Sequence, residues 1–397
     1  MKKSLAYAFA ALLFTGAIYT ASAVDFGGMI TNDSKFTNVA GYGNGFGKLA
    51  LNQKNAASLW LRTPFNQKGT TYFTAEGLFQ WERKYFNLSG LDDLQDKNLF
   101  AADVDLFKFA TQVDTESGKF NVTAGRFFVS DLSGLVFSQT ADGLLLSYEV
   151  SRLRVSAYGG YTGLLNARVV SILDPSFVED TDKIYQLAAK YAVGALSLSF
   201  AAANQTISAQ FLGAFRLENE TYNRMYGELS LGGPLFSTVY YNLNGTLGFA
   251  SYDGGDMNMG LLGKAGLTYY APVKSLAIGV NGVYASGEQG SFKPFAGFTS
   301  QTATNALSGR TEYTGIIRTG LAMSLKPVSN LLLGATGDVI FNAAESIEYE
   351  GFQYGLNANW QIVSDVSLGA TMYQYYDKED SDSRNKSCIQ LKAAISF

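Results

Sequence analysis

The 397-residue chain carries 34 acidic against 30 basic residues, 16% charged residues in all, with no histidine and a single cysteine. The missing imidazole removes Ser-His-Asp hydrolysis, histidine metal sites and most general-base chemistry near neutral pH. The lone Cys388 rules out an internal disulfide, and no basic run points to nucleic acid.

The charged fraction lies below the roughly 25% of soluble domains, while 28 Phe, 24 Tyr and 42 Gly stand against 6 Pro. Mean hydropathy is only +0.02, and no later stretch reaches the roughly 18 apolar residues of a membrane helix. Hydrophobicity hidden in alternation is the profile of a transmembrane β-barrel.

At the start, Lys2 and Lys3 precede an apolar stretch to about residue 19, and Ala21, Ser22 and Ala23 form an A-x-A site. Residues 1–23 therefore read as a secretory signal peptide cleaved after Ala23, leaving 24–397 as the barrel. Without the two leader lysines, 28 basic residues face 34 acidic ones, a formal charge of −6.

From there apolar residues recur at every second position, the period of a strand. The spacing predicts strands at about 25–33, 56–64, 70–83, 98–112, 118–128, 142–150, 152–163, 183–192, 195–211, 221–231, 235–250, 257–270, 274–286, 311–326, 330–341, 351–362, 365–377 and 386–397. The clearest is 351–362: Phe352, Tyr354, Leu356, Ala358, Trp360 and Ile362 face one way, Gln353, Gly355, Asn357, Asn359 and Gln361 the other. Strands of a soluble sandwich are about half as long. Segment 195–216 could be one strand or two, and 25–33 could be a plug or hatch, so the fold class is an all-β transmembrane antiparallel β-barrel of about 18 strands, with 16 as the alternative.

Connections alternate in length. Short ones are expected at 149–152, 192–195, 231–234, 271–274, 326–329 and 363–365, long polar ones at 34–55, 84–97, 129–141, 164–182, 287–310 and 377–386. That pattern means short periplasmic turns and long extracellular loops, with both termini on the periplasmic side.

The last strand alternates through Ile389, Leu391, Ala393, Ile395 and the terminal Phe397. This ending resembles the carboxy-terminal signal of bacterial outer-membrane barrels. The resemblance implies outer-membrane localisation and recognition by the assembly machinery, with Leu391, Ile395 and Phe397 as the signal. "GRFFVSDLSG" and "DGLLLSYE" resemble pieces of alginate-export-type channels at Gly125, Arg126, Asp142 and Gly143.

Opposite parity lines the lumen. Its candidate cations are Arg62, Arg154, Lys190, Arg224, Lys264, Arg318 and Lys392; its candidate acids are Glu76, Glu82, Asp103, Asp105, Glu149, Glu228 and Asp338. Each has a plainer reading as a solvated or paired wall residue, since interiors of large barrels are polar. Arg126 falls on lipid parity, and a bulge at Gly125 is expected to turn it inward. Segment 129–141 carries Leu132, Leu135, Val136 and Phe137, which need burial; it either folds into the barrel as a constriction or packs on the rim. With Arg62, Arg154, Lys264 and Arg318 read as central in their strands, inward acids such as Asp103 and Asp338 balancing them only in part, and the acidic loops outside in bulk salt, a weak anion preference is expected.

The acidic "YDGGDMN" lacks EF-hand spacing, and "GYGNGFG" lacks the strand-turn-helix setting of a nucleotide loop. No cofactor or metal is expected. The function read from the sequence is an outer-membrane porin-like channel for passive diffusion of small hydrophilic solutes, not an enzyme. Alternatives are a fatty-acid-type transporter of hydrophobic solutes, with 24–55 as a hatch, or a surface adhesin or structural barrel. Its partners are the lipid bilayer, the assembly machinery and small solutes, and trimeric porins give precedent for a homo-oligomer.

Overall fold

The computed structural model describes residues 24–37, 50–85, 97–178, 180, 182–218, 222–251, 257–273, 275–288, 291–300, 313–378 and 385–397. The expected signal peptide, "GYGNGFG" and most of "YDGGDMN" lie outside them.

Eighteen strands follow one another: β1 (Asp25–Thr37), β2 (Ala50–Pro64), β3 (Thr71–Tyr85), β4 (Lys97–Asp114), β5 (Lys119–Ser130), β6 (Ser138–Val150), β7 (Leu153–Tyr161), β8 (Tyr191–Ala202), β9 (Gln205–Arg216), β10 (Arg224–Phe236), β11 (Val239–Ser251), β12 (Met257–Tyr270), β13 (Ala277–Ala285), β14 (Ile316–Val328), β15 (Leu331–Asn342), β16 (Glu348–Val363), β17 (Val366–Asp377) and β18 (Asn385–Ser396). Each pairs antiparallel with the next, and β1 pairs with β18, so the sheet closes on itself. Closure is the physical requirement, because an open edge in hydrocarbon leaves backbone groups unsatisfied at several kcal/mol each.

β1 is a wall strand paired on both sides, not a plug, and the 16-strand alternative falls with it. At the closing seam the Gly28 amide donates to the Phe397 carbonyl (2.9 Å) and the Phe397 amide to the Gly28 carbonyl (3.0 Å). The Phe397 ring lies over Gly28, where a Cβ would stand 2.5 Å from it and displace it.

Connections at the end bearing both termini run 2–6 residues, and those at the other end 5–30. Two expected elements shift. Residues 183–190 belong to a long loop, and the expected strand at 195–211 is divided between β8 and β9. The small residues of 192–195 sit inside β8; the turn falls at Ala203 and Asn204, with φ of 49° and 63°. Two consecutive positive φ values give the primed turn whose twist matches a tight hairpin. Gly-Gly-Pro at 232–234 likewise lies within β10, where pairing to β9 ends at Gly232, so Pro234 has no ladder bond to lose on that side.

Outward parity is apolar and uncovered throughout, as at Leu59, Phe211, Leu229, Leu321 and Leu356. An apolar surface continuous around a closed barrel fits lipid, not water. The buried cluster is inside the cylinder: Tyr191, Leu212, Tyr226, Leu262, Ile316, Ile340 and Tyr375 from the walls meet Phe137, Phe295 and Phe298 from loops.

Candidate functional site: a lumen narrowed by three loops

The loop after β5, residues 131–137, is organised by its first residue. Asp131 Oδ1 accepts the amides of Val136 (3.0 Å) and Phe137 (2.7 Å). Its Oδ2 accepts the Ser133 amide (2.8 Å) and the Ser133 hydroxyl. A carboxylate holding local amides is a strong loop former.

The loop then reaches distant walls. The Leu132 amide donates to Gln210 Oε1 on β9 (3.1 Å), and Lys264 Nζ on β12 donates to the Ser133 carbonyl (3.0 Å). Phe137 is fully buried, while Leu132 and Leu135 stay half-buried at the tip.

Two more loops join it. The Phe298 and Thr299 amides donate to the Val136 carbonyl at 3.0 and 2.9 Å, Leu173 N to Phe298 O at 2.9 Å, and Ser300 N to Ser171 O at 2.7 Å. The Phe298 ring lies 5.5 Å from Phe137 and 5.0 Å from Tyr191. Segments 131–137, 162–190 and 291–300 thus form one hydrogen-bonded obstruction inside the barrel.

The wall beside it is unusual. β4 pairs with β5 only from Phe107–Arg126 down to Asp114–Lys119, so the strands part above that pair. Side chains and loop backbone take the place of the missing strand. The Phe100 carbonyl accepts Arg168 Nη1 (2.8 Å), the Ala102 carbonyl accepts Asn166 Nδ2 (3.0 Å), and the Val104 carbonyl accepts Arg126 Nη1 (2.9 Å). The Ala102 amide donates to Ile184 O (3.3 Å). The apolar alternation at 183–190 is therefore real, but it belongs to a loop filling this gap.

Arg126 holds the parting point. Gly125 adopts φ +112°, and a Cβ there would lie 2.0 Å from the Phe107 carbonyl. The expected bulge at Gly125 is absent, since pairing to β4 and β6 runs through it in register; the positive φ alone brings the Arg126 side chain, nine-tenths buried, between Asp103 and Asp142. Nε and Nη2 donate to Asp142 at 2.8 and 2.9 Å, and Nη1 to Asp103 at 2.8 Å. With Nη1 to Val104 O and Nη2 to Leu164 O (2.8 Å), all five guanidinium N–H groups are used. Asp105 is the extra residue of a bulge on β4, where pairing to β3 skips from Val104 to Leu106.

The other candidates spread along the cylinder. Arg318 on β14 pairs with Asp338 on β15 (2.9 Å). Arg224 is buried under it, donating to Leu173 O (2.6 Å) with its guanidinium 5.8 Å from the Phe298 ring centre. Glu228, two positions along the same face from Tyr226, is buried beside the 131–137 tip. Glu76 is half-buried on β3, and Glu82 accepts from Asn52 (2.7 Å).

Arg62 and Arg154 are not central: each stands near the short-turn end of its strand, Arg62 over the Tyr72 ring and Arg154 paired with Glu149 across the hairpin (3.4 Å). Lys190 stands just before β8 at the rim, where the Glu218 carboxylate raises its pKa. Lys392 lies 3.8 Å from Asp33.

Sequence reasoning missed Asp131, Gln210, Asn166, Arg168, and the pair Arg216–Asp174 (3.4 Å). An Asp-x-Ser start is an Asx-turn signal that could have flagged Asp131; the others carry no local signal. Lys54 and Lys326 were also missed. With Lys392 they line a cavity of about 670 Å³ toward the short-turn end.

A closed 18-stranded antiparallel barrel, apolar outside and obstructed inside by its own loops, is the architecture of outer-membrane channels. Solved structures with this fold include OccK9 (OpdG) of Pseudomonas aeruginosa, 11% identical with a TM-score of 0.62 over 95% of this chain and 99% of that one. OpdK of Pseudomonas aeruginosa is 10% identical with a TM-score of 0.59 over 94% and 99%. OccAB4 of Acinetobacter baumannii is 10% identical with a TM-score of 0.58 over 95% and 98%. The chain has the fold of these channels. The alginate-export likeness of the Gly125–Arg126 and Asp142–Gly143 pieces draws no support from them. No protein-family model and no curated protein sequence matches the chain.

Proposed function

We propose that the chain is an outer-membrane channel through which small hydrophilic solutes diffuse passively, exported with residues 1–23 as a cleaved leader. The observation that carries this reading is the loop obstruction inside a closed barrel: a wall of this strand number encloses water, and the tip at Leu132 and Leu135 narrows the path. No catalytic constellation is invoked, since selection by size and charge needs none. A hatch-bearing transporter of hydrophobic solutes is disfavoured, because residues 25–37 form a wall strand.

Conductance in a planar bilayer tests the reading. Wild type should give stable open steps. Asp131→Ala, which releases four hydrogen bonds that shape the loop, should give larger and noisier ones. Absence of steps from folded protein would favour a scaffold or adhesin instead.

The wall favours weak anion selectivity. Among the described wall residues Lys54, Arg62, Lys108, Arg224, Lys264 and Lys326 make no ion pair, against Glu76, Asp105, Glu228 and the one carboxylate in excess where Asp103 and Asp142 share Arg126. Confined charge acts where bulk salt screens least. Reversal potentials in a salt gradient should shift toward cation selectivity in the Lys54→Gln/Lys326→Gln/Lys392→Gln triple variant; no shift would place selection elsewhere.

Assembly is proposed to depend on Leu391, Ile395 and Phe397, which are exposed on the lipid face of β18. Deleting Phe397 removes the closing bonds to Gly28 and the terminal aromatic. Heat-modifiable, membrane-embedded protein should then fall severalfold, and wild-type amounts would exclude the role.

A further inference from the structure

The parting of β4 from β5 leaves a cavity of about 230 Å³ between the upper half of β4, the β5–β6 hairpin and the 162–190 loop. It lies beside the 131–137 obstruction, in the wall rather than the main path. Its lining is in part apolar, with Phe128, Leu165, Val169 and Val170, and in part polar, with Asp103, Asp105 and Gln139.

Its charge is only partly compensated. Asp103, Asp105 and Asp142 gather around the single guanidinium of Arg126. Both hydrogen bonds to Asp103 fall on Oδ1, from Arg126 and from the Val104 amide (2.8 Å). Asp105 makes no ion pair among the described residues. Arg168, a further cation on the loop, is bonded to the Phe100 carbonyl.

An independent observation comes from Gln139. It is 7% exposed, lines this cavity, and accepts the Ser171 amide on Oε1 (3.2 Å), yet its Nε2 has no partner. A buried amide donor left unmade costs about 1–3 kcal/mol, and in native proteins such a group generally meets water or a ligand.

We propose that this cavity binds a small organic cation with an apolar body, an aryl- or alkylammonium. Its ammonium sits against Asp105 and the free oxygen of Asp103, its body lies on Phe128, Leu165 and Val169, and an acceptor atom on the ligand or a retained water meets Gln139 Nε2. The volume, below the roughly 300–1,000 Å³ of drug-sized sites, limits the occupant to a small molecule. The lining suits such a ligand: carboxylates beside apolar side chains accept an amphipathic cation and reject an amphipathic anion. This site goes beyond the diffusion path proposed above and stands without it.

Equilibrium titration of the folded, detergent-solubilised full-length barrel tests it without measuring conductance, using phenethylammonium as the probe. Saturable binding is expected, with none for phenylacetate or 2-phenylethanol. Asp105→Asn, which leaves the Arg126 pairs intact, should weaken binding about tenfold or more, the worth of one charge-assisted contact. Gln139→Leu should weaken it less, and Glu149→Gln at the opposite end of the barrel should leave it unchanged. Equal binding of phenylacetate, indifference to Asp105→Asn in a heat-modifiable barrel, or saturable uptake of Ca²⁺ in place of the ammonium would each overturn the proposal.

Discussion

Arg126→Ala is expected to destabilise the folded barrel by about 3–5 kcal/mol, the cost of stranding buried partners of a charge pair. The loss has two parts. Asp103 and Asp142 face each other without the cation between them, and the carbonyls of Val104 and Leu164 lose their donor. Arg126→Lys should recover only a fraction, since an ammonium cannot serve five acceptors in a planar fork. The Arg126→Met/Asp103→Asn/Asp142→Asn triple variant should recover more than Arg126→Lys, because it removes the stranded charges themselves. Denaturant unfolding of the barrel in micelles measures all three. A loss under about 1 kcal/mol for Arg126→Ala, the range of an exposed pair, would mean that water reaches the cluster freely. The same variant should also loosen the 162–190 loop, because Arg126 is one of three side chains bridging it to β4.

Leu356→Arg should cost about 2–4 kcal/mol, as for a cation on the lipid face near mid-bilayer. Leu356 stands mid-strand in β16 between Ala335 and Met372, all on outward parity, and is uncovered. One residue on, Asn357 stands between Gly334 and Thr371 on the lumen face. Asn357→Arg should leave stability within about 0.5 kcal/mol, as at ordinary solvated positions, and change conductance instead. Equal losses at the two positions would mean that the strand does not separate lipid from water.

Most of the wall is written locally. The period of two in β16 or β18 depends only on which residues alternate, and the need for closure turns a set of such strands into a barrel whatever their order of packing. Strand ends were less legible. The small residues at 192–195 and 232–234 look like turns, but in a long ladder Gly and Ala are carried by neighbouring strands, and the chain reverses where two residues can take positive φ. Arg126 was legible as a conflict: a charge on lipid parity next to a glycine requires some local turn, and Gly125 supplies it.

The interior was not legible in the same way. That residues 131–137 need burial follows from Leu132, Leu135, Val136 and Phe137; that they cross to Gln210 and Lys264, residues 78 and 131 positions away from their partners, does not. The alternation at 183–190 carries a period but no register, so it could not say whether the segment pairs as a strand or stands in for one. Nor could it say that Arg168 and Asn166 would cap carbonyls of β4. Sequence by itself determined the barrel, its lipid face and the asymmetry of its two ends, because these rest on short-range alternation and on the solvent. Tertiary structure alone decided the obstruction, the parted wall and the pairing of charges, because each depends on which loops meet inside the closed cylinder.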